Sequence, residues 1–359
     1  MRTGVVTNDE GATAIFDKDF IMRIGNIRLI AGIGLLTATL GLSGGIARAQ
    51  TTPTVIALPA VSVLFLAEYV AEDAHVWDKA GLAVKVLNIS GIGSINAVIS
   101  KSADFSMSSG PSITRAYAHG QKLVALATAL NQSGQDVVLR KDIADATHFD
   151  PTAPLATRAQ ILKGRTIAIS AIGAIPDLVL RAVAKAGGVT PDQMTITPMQ
   201  PPEFLAAFAR KSIDGFSNTP PFIQQVVLDG TGVIVSDSAK GEPTEFSPIS
   251  ATMLLTRADF CAQQKTVCEK ATQGIVAAMG IIRTQPSQTL AIMKTRFPAY
   301  DDKVLAAAYE MVKAMTPDSA ATTVAALENG DLMNVAAGYM KSDEKLADYK
   351  VLIDNSFIK

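Results

Sequence analysis

Lysine, serine and aspartate recur in one order at two places. Lys101-Ser102-Ala103-Asp104-Phe105-Ser106 leads into a Ser/Gly/Pro turn, Met107 to Ser112. Lys211-Ser212-Ile213-Asp214-Gly215-Phe216-Ser217 leads into Asn218-Thr219-Pro220-Pro221. Each copy ends an apolar helical run, enters a short strand and breaks into small polar residues. Asp104 and Asp214 read as ties for backbone amides at strand starts rather than as paired acids. The polar turns are the chemistry: small residues let a backbone approach a ligand, and N–H groups at a helix start favour an anion. Five turns qualify: Pro59 to Ser62, Gly91 to Ser94, Ser108 to Ser112, Ser170 to Ala174, and Ser217 to Pro220. None contains histidine, so no serine there has a base to activate it. Ser108-Ser109-Gly110 is not the Gly-x-Ser-x-Gly of a hydrolase elbow. Gly91-x-Gly93-x-x-Asn96 lacks the third glycine of a dinucleotide fingerprint. His75, His119 and His148 share no ligand spacing, so neither a metal nor another cofactor is expected. Arg115, one turn beyond Ser108 to Ser112, reads as a solvated helix face, and Trp77 as packing.

Alternating elements must hold these turns. Val55 to Leu58 predicts a strand, Val63 to Ala80 a helix stopped by Gly81, and Leu82 to Ile89 a strand. Ile95 to Ser100, Phe105 to Met107 and Ile113 to Ala118 continue the alternation, with further strands at Leu123 to Thr128 and Val137 to Arg140. A second run of the same kind starts at Thr166 and includes the second lysine-serine-aspartate element. Ala251 to Thr256 predicts a strand returning to the first half. Beyond Glu269 the pattern is helical, ending in a helix over Ala320 to Met340. Such β-α-β alternation predicts open, largely parallel sheets, and ligands in such sheets sit outside the carboxyl ends of strands.

The formal net charge of −1 offers no field for nucleic acid. Arg23 and Arg28 precede an apolar run, Leu29 to Leu42, followed by Ala47-Arg48-Ala49. That is the pattern of a cleaved export signal over about residues 22–49, and Met22 is an alternative start. Residues 1–49 are thus an extension and signal peptide, and the mature protein is expected in the periplasm. Cys261 and Cys268 are the only cysteines. An oxidising compartment permits a disulfide between them. One continuous helix would hold them about 10 Å apart, beyond bridging reach, so the pair needs a turn between.

The run Leu64 to Val86, with Ala67-Glu68-Tyr69 and Trp77-Asp78-Lys79-Ala80-Gly81-Leu82, resembles the opening of periplasmic substrate-binding proteins of ABC importers, in the nitrate, sulfonate and taurine group. The resemblance continues through Lys101 to Phe105, Val138 to Lys141, Leu162-Lys163-Gly164-Arg165-Thr166-Ile167-Ala168 and Ser212-Ile213-Asp214-Gly215. It reaches the tail, from Ala325-Ala326-Leu327-Glu328 to Val351-Leu352-Ile353-Asp354-Asn355-Ser356-Phe357. It spans nearly the whole mature chain in order, so the set is far more specific than any one motif.

The resemblance implies an α/β, type II periplasmic-binding-protein fold, with two doubly wound lobes and a ligand cleft between them. The first lobe is expected at 54–141 plus 250–359, the second at 142–249. By position, Ser62, Gly93, Ser94, Ser109, Ser170, Gly173, Asn218 and Thr219 face the cleft, with Ser108 beside Ser109. The implied protein is a monomeric receptor, not an enzyme. It captures a small organic ligand (a sulfonate, carboxylate or related anion) and delivers it to the membrane permease of an ABC importer. A pyrimidine- or thiamine-precursor binding protein or enzyme on the same fold is one alternative, and a ligand-sensing module for a signalling partner is another. His75-Val76-Trp77 departs from the group's usual Gly-Phe-Phe. The cysteine cluster of the pyrimidine-synthesising enzymes is missing, and the turns hold almost no basic side chains.

Overall fold

A computed structural model describes residues 51–359. The expected signal segment, the start at Met22 and the cleavage after Ala49 lie outside the described residues. The chain opens with β1 (Thr52–Leu58), α1 (Leu66–Asp73), α2 (Val76–Lys79) and β2 (Leu82–Asn88). It continues with α3 (Gly93–Ile99), β3 (Phe105–Ser108), α4 (Gly110–Ala118) and β4 (Leu123–Leu130). The helix expected over Val63 to Ala80 is broken. His75 takes a left-handed φ of 55° between α1 and α2, which re-aims α2 so that Trp77 is buried. Gly81 ends α2 at φ 79°, as its position predicts.

The chain then crosses over. β5 (Asp136–Arg140), α5 (Lys141–Ala146), α6 (Leu155–Arg158), β6 (Thr166–Ile169), α7 (Ile175–Ala186) and β7 (Thr195–Pro198) follow. α8 (Pro201–Ala209), β8 (Gly215–Asn218), α9 (Phe222–Leu228) and β9 (Gly232–Ser236) complete the second lobe. A second crossing leads to β10 (Thr252–Arg257), then α10 (Ala258–Gln263), α11 (Lys265–Thr284), α12 (Pro286–Arg296), α13 (Asp302–Met315) and α14 (Val324–Ala336). α14 is shorter than its apolar pattern suggests.

Two five-stranded sheets result, in the orders β2-β1-β3-β10-β4 and β7-β6-β8-β5-β9. In each, three parallel strands meet one antiparallel strand donated after a crossing: β10 in the first, β5 in the second. β5 was expected in the first lobe, but it pairs with β8 and β9. The crossing therefore falls at residues 131–135, ahead of Val137, and the expected boundary at 141 moves back. β4 is an edge strand, yet all eight of its residues are buried. α11 packs on it and the tail bridges it at Ala125–Ile353, which covers an edge that would otherwise be open to pairing.

The repeated lysine-serine-aspartate elements do the same work in both sheets. Asp104 Oδ2 accepts the Val55 N–H at 2.8 Å, and Asp214 Oδ2 accepts the Thr166 N–H at 2.9 Å. Ser102 and Ser212 each donate to the alanine carbonyl five residues back, Ala97 and Ala207, at 3.2 and 3.1 Å. Lys101 and Lys211 both turn the chain with positive φ, 65° and 61°. Even the donated strands match. Arg140, ending β5, donates to the Ile213 carbonyl at 2.8 Å, and Arg257, ending β10, to the Ala103 carbonyl at 3.5 Å. The echo is a structural duplication.

Cys261 and Cys268 are bridged, with Cα atoms 5.6 Å apart. The turn that bridging requires is Gln264, between the end of α10 and the start of α11.

Candidate functional site

The turns at the strand ends converge on one cleft between the two sheets. Pro59 to Ser62, Leu64 and Phe65 come from the segment after β1, and Gly91 and Ile92 from the turn after β2. Ser108 ends β3, and Ser109 and Ser112 follow it. The second lobe supplies Ser170, Ala174 to Pro176, Asn218 and Thr219. The crossings supply Gln135, Ala251 and Thr252. The space between these walls is about 690 Å³ including its mouth. It is nearly closed: Ser62 Oγ and Thr219 Oγ1 share a hydrogen bond of 2.7 Å across it.

Six of the nine positions expected at the cleft line it: Ser62, Ser108, Ser109, Ser170, Asn218 and Thr219. Gly93, Ser94 and Gly173 do not. Gly93 sits against Ile89, where a Cβ would lie 2.7 Å from Cγ2, so packing accounts for that glycine. Ser94 is buried and its hydroxyl donates to the Gly91 carbonyl at 3.2 Å, closing the turn rather than facing the cleft. Gly91 and Ile92 take their place. Gly173 has φ 72°, and its carbonyl accepts from Arg115 at 2.8 Å. Arg115, read from sequence as a solvated face, instead ties the first lobe to the second.

Gln135 and Thr252 lie outside the strand-end turns that the sequence singles out. Both stand where the chain crosses between lobes. The signal available was the polar run Asn131-Gln132-Ser133-Gly134-Gln135 between two apolar strands. These two residues and Asn218 share a property. Each is at most 3% exposed, and each carries an unpartnered polar atom: Gln135 Oε1, Thr252 Oγ1 and Asn218 Nδ2. Buried polar groups are almost always hydrogen-bonded, so three orphans on one cleft mark a place for a ligand's polar groups. The Asn218 amide is oriented by its other end, since Oδ1 accepts the Thr219 N–H at 2.8 Å.

Among the described residues, none that lines the cleft is Asp, Glu, Lys, Arg or His. Two carboxyls lie nearby. Asp136, paired in register with Asn218, is pushed up to about 7 by burial, an effect moderated by hydrogen bonds from the Ser238 hydroxyl and N–H. Glu68, one helical turn beyond Leu64 and Phe65, is pushed up to about 8, by burial first and then by the neighbouring Glu72 charge. No three His, Cys, Asp or Glu side chains among the described residues gather as a metal site.

Two α/β lobes, two crossings and a polar cleft between them define the periplasmic-binding-protein fold. The chain belongs to the NMT1-like family, whose model matches residues 65–295. Among solved structures, a protein from Bordetella bronchiseptica RB50 is similar at 19% identity and a TM-score of 0.73, covering 86% of this chain and 96% of that one. The alkanesulfonate-binding protein SsuA from Xanthomonas axonopodis pv. citri, bound to MOPS, is similar at 13% identity and a TM-score of 0.66, over 85% and 99%. The periplasmic nitrate-binding protein NrtA from Synechocystis PCC 6803 is similar at 15% identity and a TM-score of 0.66, over 86% and 87%. No curated protein matches the chain. No helix of the described residues is long and apolar enough to cross a membrane.

Proposed function

We propose that this protein is the solute receptor of an ABC importer. Exported to the periplasm by its N-terminal signal, it closes on a small organic ligand as a monomer and hands it to the membrane permease. The observation that carries this reading is the cleft itself, lined from both lobes by hydroxyls and carboxamides, three of them with a polar atom left unpaired. A site of this kind gains affinity by desolvating the ligand's apolar body, while the polar groups fix its orientation. The cleft serines have no histidine beside them, so the reading is binding without turnover.

A melting-temperature screen over sulfonates, carboxylates, aromatic acids, amides and pyrimidines tests it. A ligand at 100 times its dissociation constant adds about 2.7 kcal/mol to stability, an easily seen shift. At least one compound is expected to raise the melting temperature and to be recovered unchanged after prolonged incubation. Chemical conversion of that compound would replace the receptor reading with an enzymatic one.

A further inference from the structure

Resting on that receptor reading, we propose that the cleft takes an uncharged solute. Its head group is a carbonyl next to an N–H (a carboxamide, lactam, urea or ring imide) carried on an apolar body.

An anion would be held at the helix starts. In this cleft most of their donors are already occupied. At the start of α4 the Gly110 N–H goes to the Ser250 carbonyl at 2.7 Å, Pro111 has none, and the Ser112 and Ile113 N–H groups go to the Ser109 carbonyl. At the start of α7, Pro176 has no N–H, those of Asp177 and Leu178 go to the Ala174 carbonyl, and only that of Ile175 is left without a partner. Asp177 itself stands in that first turn, buried, accepting the Gly173 N–H at 2.8 Å. Its charge complements the positive end of the α7 dipole before any ligand arrives. With no cation in the lining and all but one of these donors used, a sulfonate or carboxylate would enter at the cost of its hydration and gain few partners.

The orphans specify what is wanted instead. Asn218 Nδ2 is a donor and needs a ligand acceptor. Gln135 Oε1 is an acceptor and needs a ligand N–H or O–H, which an ionised sulfonate does not have. Thr252 Oγ1 can take either role. Gln135 immediately precedes Asp136, the residue paired with Asn218. Both carboxamides line the same cleft, Asn218 at the end of β8 and Gln135 one residue ahead of β5, so one carbonyl with its adjacent N–H would serve both. Leu64, Phe65, Ile92 and Ile175 supply the apolar wall.

The test is calorimetric titration of the purified protein with benzamide, ε-caprolactam, benzoate and benzenesulfonate. Benzamide or ε-caprolactam is expected to bind at least tenfold more tightly than either anion. Asn218→Asp keeps the Oδ1 acceptor for the Thr219 N–H and replaces the orphan donor by a carboxyl oxygen, so it should weaken that binding at least tenfold, and a melting temperature measured without ligand checks that the variant is folded. Thr252→Val removes an unpaired buried hydroxyl. It should leave the ligand-free melting temperature unchanged or higher while weakening ligand binding, a combination that a purely structural threonine would not give. Tighter binding of benzoate or benzenesulfonate overturns the uncharged class and leaves the receptor reading standing. Failure of all four probes to bind at 10 mM overturns this inference, and if the wider screen is also empty the receptor reading falls with it.

Discussion

Glu68 shows how much one residue can demand of the fold. It is fully buried on α1, and neither carboxyl oxygen has a hydrogen-bond partner. Burial, with the nearby Glu72 and Asp73 charges, pushes its pKa up to about 8, against the pull of Arg296. Arg296 is itself engaged by Glu72 and by both oxygens of Asp73, so it offers Glu68 no direct partner. The folded protein thus holds a proton on Glu68 that the unfolded chain releases near pH 4.5. Between those values the native state binds more protons, so stability falls as pH rises and is recovered on acidification. Asp136, raised to about 7, acts in the same direction. The melting temperature should be higher at pH 5.5 than at pH 8. Glu68→Gln should flatten that slope and stabilise the protein at pH 8 by a few kcal/mol, at about 1.4 kcal/mol for each pH unit between the two pKa values. A variant with the wild-type slope would show that Glu68 is ionised in the folded protein.

At the scale of elements, the disulfide closes the corner between α10 and α11, with Cys268 fully buried and Cys261 nearly so. Cys261→Ser with Cys268→Ser should lower stability by about 2–3 kcal/mol, the loop-closure value for so short a loop, as a lower midpoint in urea denaturation. The corner was legible because seven-residue spacing cannot be bridged along one helix, which forced a turn. The strand-end turns were legible for a related reason, since only small polar residues suit a backbone that must leave a strand and meet a ligand. Sheet membership was less so. β5 and β10, like their neighbours β8 and β4, are short runs buried on both faces, and such a run does not say which sheet a strand joins. β10 returned to the first sheet as expected, whereas β5 went to the second. Gln135 and Thr252 became site residues through those same crossings, so the error in placing β5 and the failure to see Gln135 share one cause. Ala74-His75-Val76 by itself is compatible with a continuous helix, so the break at His75 was signalled only by the glycine that the resembled group carries there. The aspartate ties were visible because the motif occurs twice, and the second copy made a weak pattern interpretable.

For the molecule as a whole, the decisive contacts are those that join the lobes. Arg115 on α4 donates to the Gly173 carbonyl at 2.8 Å and to Asn334 Oδ1 at 3.3 Å, with its guanidinium 5.6 Å from the centre of the Tyr339 ring. The Tyr339 hydroxyl in turn donates to Asp177 of α7. Ser62 and Thr219 meet across the cleft, and α14 packs on both α4 and α7. These contacts describe a closed form, and hinge closure around a ligand needs an open form of comparable free energy. Apparent affinity then scales with the fraction of molecules able to close. A hydrogen bond from a charged group contributes about 1.5–3 kcal/mol, so Arg115→Ala should shift the balance about 10- to 100-fold toward the open form. Small-angle scattering of the ligand-free variant should show a larger radius of gyration than the wild type. Ligand should also dissociate faster, because Arg115 is outside the cleft lining and its loss acts on closure rather than on the ligand's own contacts. Arg115→Lys should restore little, since a single ammonium cannot span both Gly173 and Asn334. Unchanged scattering together with unchanged dissociation in Arg115→Ala would mean that the Ser62–Thr219 bond and the α14 packing hold the lobes without it.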